Sequence, residues 1–408
     1  MTAMVKADRD EIHSALFKLD AWIRQSGWKA YDPFDGLSSP LARWVTFDNR
    51  FLKQAWLHVV RRFPFNLRPL LKVPAHTSSK AMGFFAQGYL RLYQTYGQPE
   101  HLERMRFCFQ WLLDHPSPGY RGCCWGNHFG GQTRGGYIAK DTPTIVWSGL
   151  IAHAFLDASE ALGEDRYAEV ARSVCEVIVN DLGWMEMDDG ICLQYYPNAN
   201  NVIHNSNMIG ASLLARVGAR FPSNSQYRDI AENAVRFTVR HQTPEGAWPY
   251  GVGRKWAWID SFHTGYVLEA LDIYCRCGGN GDFHPALEKG YRFYLDTFFK
   301  ADGTPRYYHH KTTPIDIQCA SHGIQALVNL QKLDARSLAV ARRVAHWTIT
   351  NMQDPTGYFY YRKYPLITNK TPTLHWGEAT MFTALALLDQ CLNARSAQPA
   401  VLEAARTP

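Results

Sequence analysis

Apolar positions recur at helical spacing through nearly the whole chain. Residues 8–25 place Ile12, Leu16, Leu19 and Ile23 on one face, which predicts an amphipathic helix. A second helical run covers 48–63 and stops at Pro64 and Pro69, because proline cannot continue the backbone hydrogen-bond ladder. From Thr77 onward a helix pair repeats, the first member starting near Ser78, Thr144, His204, Ser261, Ile315 and Trp376. First members such as TPTIVWSGLIAHAFL and HNSNMIGASLLARV are small or apolar nearly all round, as suits a helix packed between neighbours. Second members such as QYRDIAENAVRFTVRHQ carry a charged stripe, as suits a helix facing water. Six such hairpins, the last completed by the N-terminal helix, predict an all-α fold: an (α/α)6 toroid with long aromatic-rich loops at one end. The expected organisation is an N-terminal segment over 1–70 packed on or completing the ring, the toroid over 71–398, and a flexible tail over 399–408.

The connections ahead of the inner helices carry the candidate chemistry. CCWGNHFGGQTRGGYIAKDTP, ICLQYYPNAN, GAWPYGVGRKWAW, PRYYHHKTTP and GYFYYRKYPLITNKTP combine aromatics with Arg, Lys, His or Asn. If the inner helices run parallel, these loops gather at one rim as a funnel. The densest stretch is TPEGAWPYGVGRKWAWIDSFHTGYVLEAL, residues 243–271, where Asp260 or Ser261 is a natural N-cap. Flat aromatic faces with fixed polar groups suit a glycan. Asp32 and Asp35, flanking Pro33 and Phe34, read as an Asx-type turn.

Composition sharpens the picture. Aromatic residues make up 13% of the 408, much of this in loops where packing alone does not require it. The net charge of +6, read as modest and dispersed and without a basic tract, fits an anionic substrate better than nucleic acid. Nine cysteines, an odd number, with no apparent signal peptide and no membrane-spanning window, predict a reduced cytoplasmic protein with free thiols. Phosphate-loop and dinucleotide fingerprints are absent, so no cofactor is expected. Cys123, Cys124, His128, Cys319 and His322 lack strong metal-ligand spacing, so no metal is expected either. The oligomeric state is open.

The hairpin period and aromatic loops resemble six-hairpin carbohydrate-active enzymes: glycoside hydrolases, polysaccharide lyases and the catalytic domain of glucuronyl C5-epimerases. YDPFDGL, CCWGNHFGGQTRGGY, HNSNMIGASLLARV, WPYGVGRKWAWIDSFHTGY, PIDIQCASHGIQAL and MQDPTGYFYYRKY resemble, most specifically, a bacterial family found with polysaccharide-biosynthesis genes. Its members often carry the label δ-aminolevulinic acid dehydratase. That enzyme is a TIM barrel using Schiff-base lysines, and this helical repeat has no βα alternation to match it. The epimerase resemblance maps a Tyr-Pro pair onto Tyr196 and Pro197, a loop tyrosine onto Tyr250, and an Asp-Tyr-His-Thr helix start onto Asp260, Phe262, His263 and Thr264. Ser261 is extra, and Phe262 replaces a tyrosine of the pattern.

The resemblance implies an enzyme acting on a uronate-containing glycan by C5 proton abstraction, as epimerase or lyase. That chemistry requires a base, a group to hold the carboxylate as it becomes enolate-like, and an acid. Tyr196, Tyr250 and His263 are the proton-transfer candidates, a tyrosine serving only if nearby cations lower its pKa. Arg134 and Arg254 are candidates to clamp the carboxylate. The alternative on the same scaffold is a glycoside hydrolase, whose carboxyl pair would come from Asp260, Asp316 and Glu378. Trp125, Trp248, Trp258, Tyr360 and Trp376 are candidate sugar platforms. His204, Asn205, Asn207, His309 and His322 are candidate polar contacts. Two further alternatives are a non-catalytic glycan-binding toroid and a terpene-cyclase-like protein, the latter disfavoured by the polarity of these loops.

Overall fold

The computed structural model describes residues 3–277 and 283–404. Six inner helices form a closed ring: α4 (Ser79–Tyr96), α6 (Ile145–Leu162), α8 (His204–Arg220), α10 (Ser261–Arg276), α12 (Ile317–Asn329) and α14 (Ala379–Ala404). Each packs on the next, and α14 returns to α4. Outside them lie α5 (Pro99–Asp114), α7 (Asp165–Val177), α9 (Gln226–Arg240), α11 (His284–Phe298) and α13 (Ser337–Met352), each against its preceding inner helix. The sixth outer position belongs to α1 (Ala3–Gln25), which packs on α14 and α13. The fold is therefore an (α/α)6 toroid. The tail expected over 399–408 falls partly on α14, which runs to Ala404, and 405–408 lie outside the described residues.

Inner helices are rich in small residues because they approach closely. A Cβ on Gly88 would lie 2.5 Å from the Phe382 ring of α14, and one on Gly149 would lie 2.6 Å from Ile209 of α8. The outer helices bury one stripe only. In α9, Tyr227, Ile230, Ala231, Ala234 and Val235 face inward at helical spacing. Thr144 caps α6 by accepting from the Trp147 N–H, and Asp260 caps α10 by accepting from the His263 N–H.

Short strands stiffen the loops at the inner helices' N-termini. β1 (Gly131–Gln132) pairs antiparallel with β2 (Tyr137–Ile138), and β3 (Trp184–Met187) pairs with β4 (Gly190–Leu193). β5 (Ile315–Asp316), β6 (Arg362–Lys363) and β7 (Thr368–Asn369) form a three-stranded antiparallel sheet in that order. Between α1 and α4 the chain leaves the ring to form α2 (Ala42–Thr46) and α3 (Arg50–Arg62). Asn49 caps α3 by accepting from the Phe51 and Leu52 N–H groups.

Candidate active site

At the N-terminal end of the inner helices lies a cavity of about 230 Å³. All six inner helices or the turns entering them contribute to its wall: Lys80, Trp147, Asn205, His263, Gln318 and His375. The N-terminal segment closes one side with Asp32, Phe34 and Leu57, and the 127–142 loop closes another. The loops do gather at one rim because the inner helices are parallel and each is entered from the same side.

The first catalytic-looking group is at the start of α10. The Asp260 carboxylate accepts from the His263 backbone N–H at 3.0 Å, from His263 Nδ1 at 2.7 Å and from Trp258 Nε1 at 2.8 Å. With Nδ1 hydrogen-bonded to the carboxylate, His263 is held in the tautomer whose Nε2 carries the lone pair. Asp260 is thus a cap and an orienting group, 1% exposed, while His263 itself lines the cavity.

A second carboxylate and imidazole meet from opposite ends of the chain, within ion-pair distance but without the aligned hydrogen bond that joins His263 to Asp260. His375 Nδ1 lies 2.9 Å from Asp32 Oδ2, and both residues line the cavity. The Asp32 side chain is fixed by the Asx turn, its Oδ1 accepting from the Phe34 N–H at 2.8 Å. The turn is braced in turn by Asp35, which accepts from the Asp32 N–H and pairs with buried Arg68 at 2.7 Å. Burial pushes the Asp32 carboxyl up, but the nearby charge of His375 and the hydrogen bond from the Phe34 N–H more than offset this and leave it below the usual carboxylate range. His375 sits in a π-helical turn, Leu374–Glu378, that precedes α14 and also delivers Trp376 to the wall.

Lys80, in the first turn of α4, is the cation of the cavity wall. Burial pulls its ammonium down to about 8, with Asp32 opposing the shift, and it makes no ion pair among the described residues. Nearby, the side-chain oxygen of Asn205 is buried and without a hydrogen-bond partner among the described residues. Aromatic faces from Phe34, Trp147, Tyr195, Phe262 and Trp376 complete the lining.

Several residues singled out from sequence sit above or away from this cavity. Tyr250 stacks on Trp258, ring centroids 4.4 Å apart, and its ring also lies 4.4 Å from His263. Arg134 rests over Trp258, and the 131–138 hairpin meets the 251–258 loop through Arg134 and Lys255. This cluster forms a roof. Arg254 is exposed on the 3-10 turn Arg254–Trp256, and neither arginine reaches the wall. The expected lowering of the tyrosine pKa values does not follow. Burial raises the Tyr250 hydroxyl well above its ordinary value despite Arg134, and burial raises that of Tyr196 as well. Of the adjacent pair, Tyr195 lines the cavity and Tyr196 does not.

The carboxylates considered for hydrolysis are otherwise engaged. Asp316 pairs with Arg362, accepts from Trp376 Nε1 at 2.8 Å and caps α12. Glu378 is fully enclosed, accepts from the Phe359 N–H, and is pushed up to about 8 by burial. Neither lines the cavity.

Of the candidate platforms and polar contacts, Trp258 sits in the roof and Trp376 and Asn205 on the wall. Trp125 and Trp248 are core residues instead. Their indoles donate to the carbonyls of Leu112 and Thr238 and they are 1% and 2% exposed. Asn207 is a buried brace that donates to Ala234 O and accepts from the Leu193 N–H. His204 packs on Phe237 and His241, and His322 packs on Tyr266 beside Glu269. Tyr360 donates to Asp354, and His309 contacts Ile259 O; neither lines the cavity. Cys123, Cys124 and Cys319 are free thiols, and no three His, Cys, Asp or Glu side chains among the described residues are grouped as metal ligands would be. Lys80, Asp32 and His375 were missed. For Asp32 the sequence signal was the turn itself; Lys80 and His375 had none, sitting unremarked in helix starts.

No family model and no curated protein matches the chain. Solved structures do. An unsaturated glucuronyl hydrolase specific for heparin aligns over 94% of this chain and 97% of its own, at TM-score 0.59 and 12% identity. A polysaccharide lyase aligns over 97% and 99%, at 0.58 and 10%. The cellobiose 2-epimerase of Spirochaeta thermophila aligns over 79% and 87%, at 0.57 and 10%. They share its fold. At these identities the likeness extends to the toroid and not to individual residues. No helix among the described residues is long and apolar enough to cross a membrane.

Proposed function

We propose that the protein is a carbohydrate-active enzyme that removes the C5 proton of a uronate residue in an acidic glycan. The observation that carries this reading is one cavity holding two histidines beside carboxylates, His263 hydrogen-bonded to Asp260 and His375 within ion-pair distance of Asp32, together with the buried Lys80. One imidazole accepts the C5 proton through Nε2. As the carboxylate takes on enolate character, the Lys80 ammonium stabilises the added charge, an effect enlarged by its shielded setting. The second imidazole, protonated, then returns a proton to C5 from the other face, giving the epimer. If instead the C4–O bond breaks, the electron pair leaves with that oxygen, the second imidazole protonates it, and the product carries a C4=C5 double bond. The aromatic wall supplies faces for sugar C–H surfaces.

This reading gives the tyrosines and arginines of the roof a role in enclosing substrate rather than in proton transfer. Hydrolysis by a carboxylate pair is less well supported, because Asp32 is the one carboxylate lining the cavity among the described residues. An unsaturated glucuronyl hydrolase specific for heparin among the similar folds is in keeping with an acidic saccharide as the substrate class, and a polysaccharide lyase with a polysaccharide.

The test is incubation with uronate-containing oligosaccharides in deuterated water. Deuterium entering C5 with the chain intact marks epimerase action, and ultraviolet absorbance from an unsaturated uronate marks lyase action. New reducing ends with neither signal would refute the proposal in favour of hydrolysis.

A further inference from the structure

The segment that leaves the ring between α1 and α4 has a surface unlike the rest of the molecule. Trp44 is 81% exposed and Phe47 is 82% exposed, with Phe51 and Phe65 close behind. On α3 the outward face reads Phe51, Leu52, Ala55 and Val59, a continuous helical stripe turned to solvent, while Leu57 and Val60 point inward. Large apolar side chains gathered in exposed positions on one short segment are the mark of an interaction surface. The backbone is also committed to this display: Phe47 and Asp48 adopt left-handed conformations, φ 47° and 59°, unusual for a bulky side chain.

The charge is not dispersed, contrary to the reading from composition. Residues 41–72 hold seven Lys or Arg and one Asp; Arg68 is buried against Asp35, Lys53 pairs with Asp48 and Arg61 donates to Tyr361, which leaves Arg43, Arg50, Arg62 and Lys72 exposed. Arg43, Arg50 and Arg62 are exposed beside the aromatics, Arg50 lying 4.6 Å over the Phe51 ring. Protein-binding surfaces also combine aromatics with arginine, but here the cations are spread among the exposed rings and not confined to a polar rim. A soluble polyanion would engage the arginines and leave the rings in water. Interleaved aromatic and basic side chains match instead a bilayer interface, where rings sit at headgroup depth and cations meet phosphates.

We propose that this face docks on an anionic lipid bilayer, with Trp44, Phe47 and Phe51 entering the interface and Arg43, Arg50 and Arg62 meeting the headgroups. The segment borders the cavity mouth, since Leu57 lines the cavity and Gln54 donates to Thr133 O of the 127–142 loop. Docking therefore sets the mouth close to the membrane surface. The inference stands independently of the chemistry proposed for the cavity.

The experiment is flotation of the full chain with vesicles of phosphatidylcholine alone or mixed with phosphatidylglycerol. The protein is expected to float with the mixed vesicles and to be released by high salt. Each arginine neutralised should weaken partitioning about fivefold, so R43Q with R50Q should weaken it about 25-fold. W44S with F47S should abolish flotation while leaving circular dichroism and thermal unfolding unchanged, because neither side chain is packed. No flotation with either vesicle, or equal flotation with both, would overturn the proposal. So would a self-association in sedimentation velocity that W44S removes, which would give the face to a second copy.

Discussion

Replacing Lys80 by methionine should remove activity and yet stabilise the protein. The ammonium is buried in the cavity wall and its pKa falls from 10.5 to about 8, a cost to the native state of about 3 kcal/mol at neutral pH at 1.36 kcal/mol per unit. The sign follows from proton binding. Below pH 8 the lysine is charged in both states, and the full penalty is present. Between pH 8 and 10.5 the unfolded chain holds the proton that the native state has released, so wild-type stability rises with pH. The methionine variant has no such dependence, and its advantage should shrink from about 3 kcal/mol at pH 7 to little above pH 10.5. Urea denaturation of both proteins at a series of pH values measures this difference directly, other titrating groups cancelling between them. A variant less stable than wild type at pH 7, or a gap that does not change with pH, would refute the argument that burial holds the Lys80 charge at a cost.

H375A and D32N should each lower turnover of a uronate substrate by about 10²- to 10⁴-fold if the pair transfers protons, measured as C5 deuterium exchange. Y250F and Y196F should retain activity within about threefold, because burial keeps both hydroxyls protonated and the Tyr250 ring stack survives; a loss comparable to H375A would return the base to a tyrosine. E378Q should show the opposite pH behaviour to K80M. Glu378 rises from 4.5 to about 8, so the native state retains a proton the unfolded chain loses, and wild-type stability falls between those values by on the order of 5 kcal/mol. The glutamine variant should lack this fall, read by the same denaturation series.

The ring was legible in the chain because it rests on local signals. A helix packed between neighbours needs small and apolar residues on all sides, as at Gly88 and Gly149, and an outer helix needs one apolar stripe, as in α9. These patterns set the number of hairpins, their boundaries and the rim at which the loops meet. Capping chemistry identified Asp260, and the Asx turn at Asp32 was visible, although not its destination.

Which side chains look into the cavity was decided by the tertiary structure. Tyr195 and Tyr196 are neighbours in the bend after β4, yet only Tyr195 faces inward, and Trp376 lines the wall while the loop residues Trp125 and Trp248 fill the core. His375 and Asp32 lie near opposite ends of the sequence and meet only because α1 closes the ring against α14. Lys80 has no neighbour in sequence that hints at its setting; its perturbed proton affinity comes from burial within the closed ring. Periodicity and composition thus determined the scaffold, which depends on averages over whole helices, whereas the site depends on single side-chain directions and on contacts across the ring that no local pattern encodes.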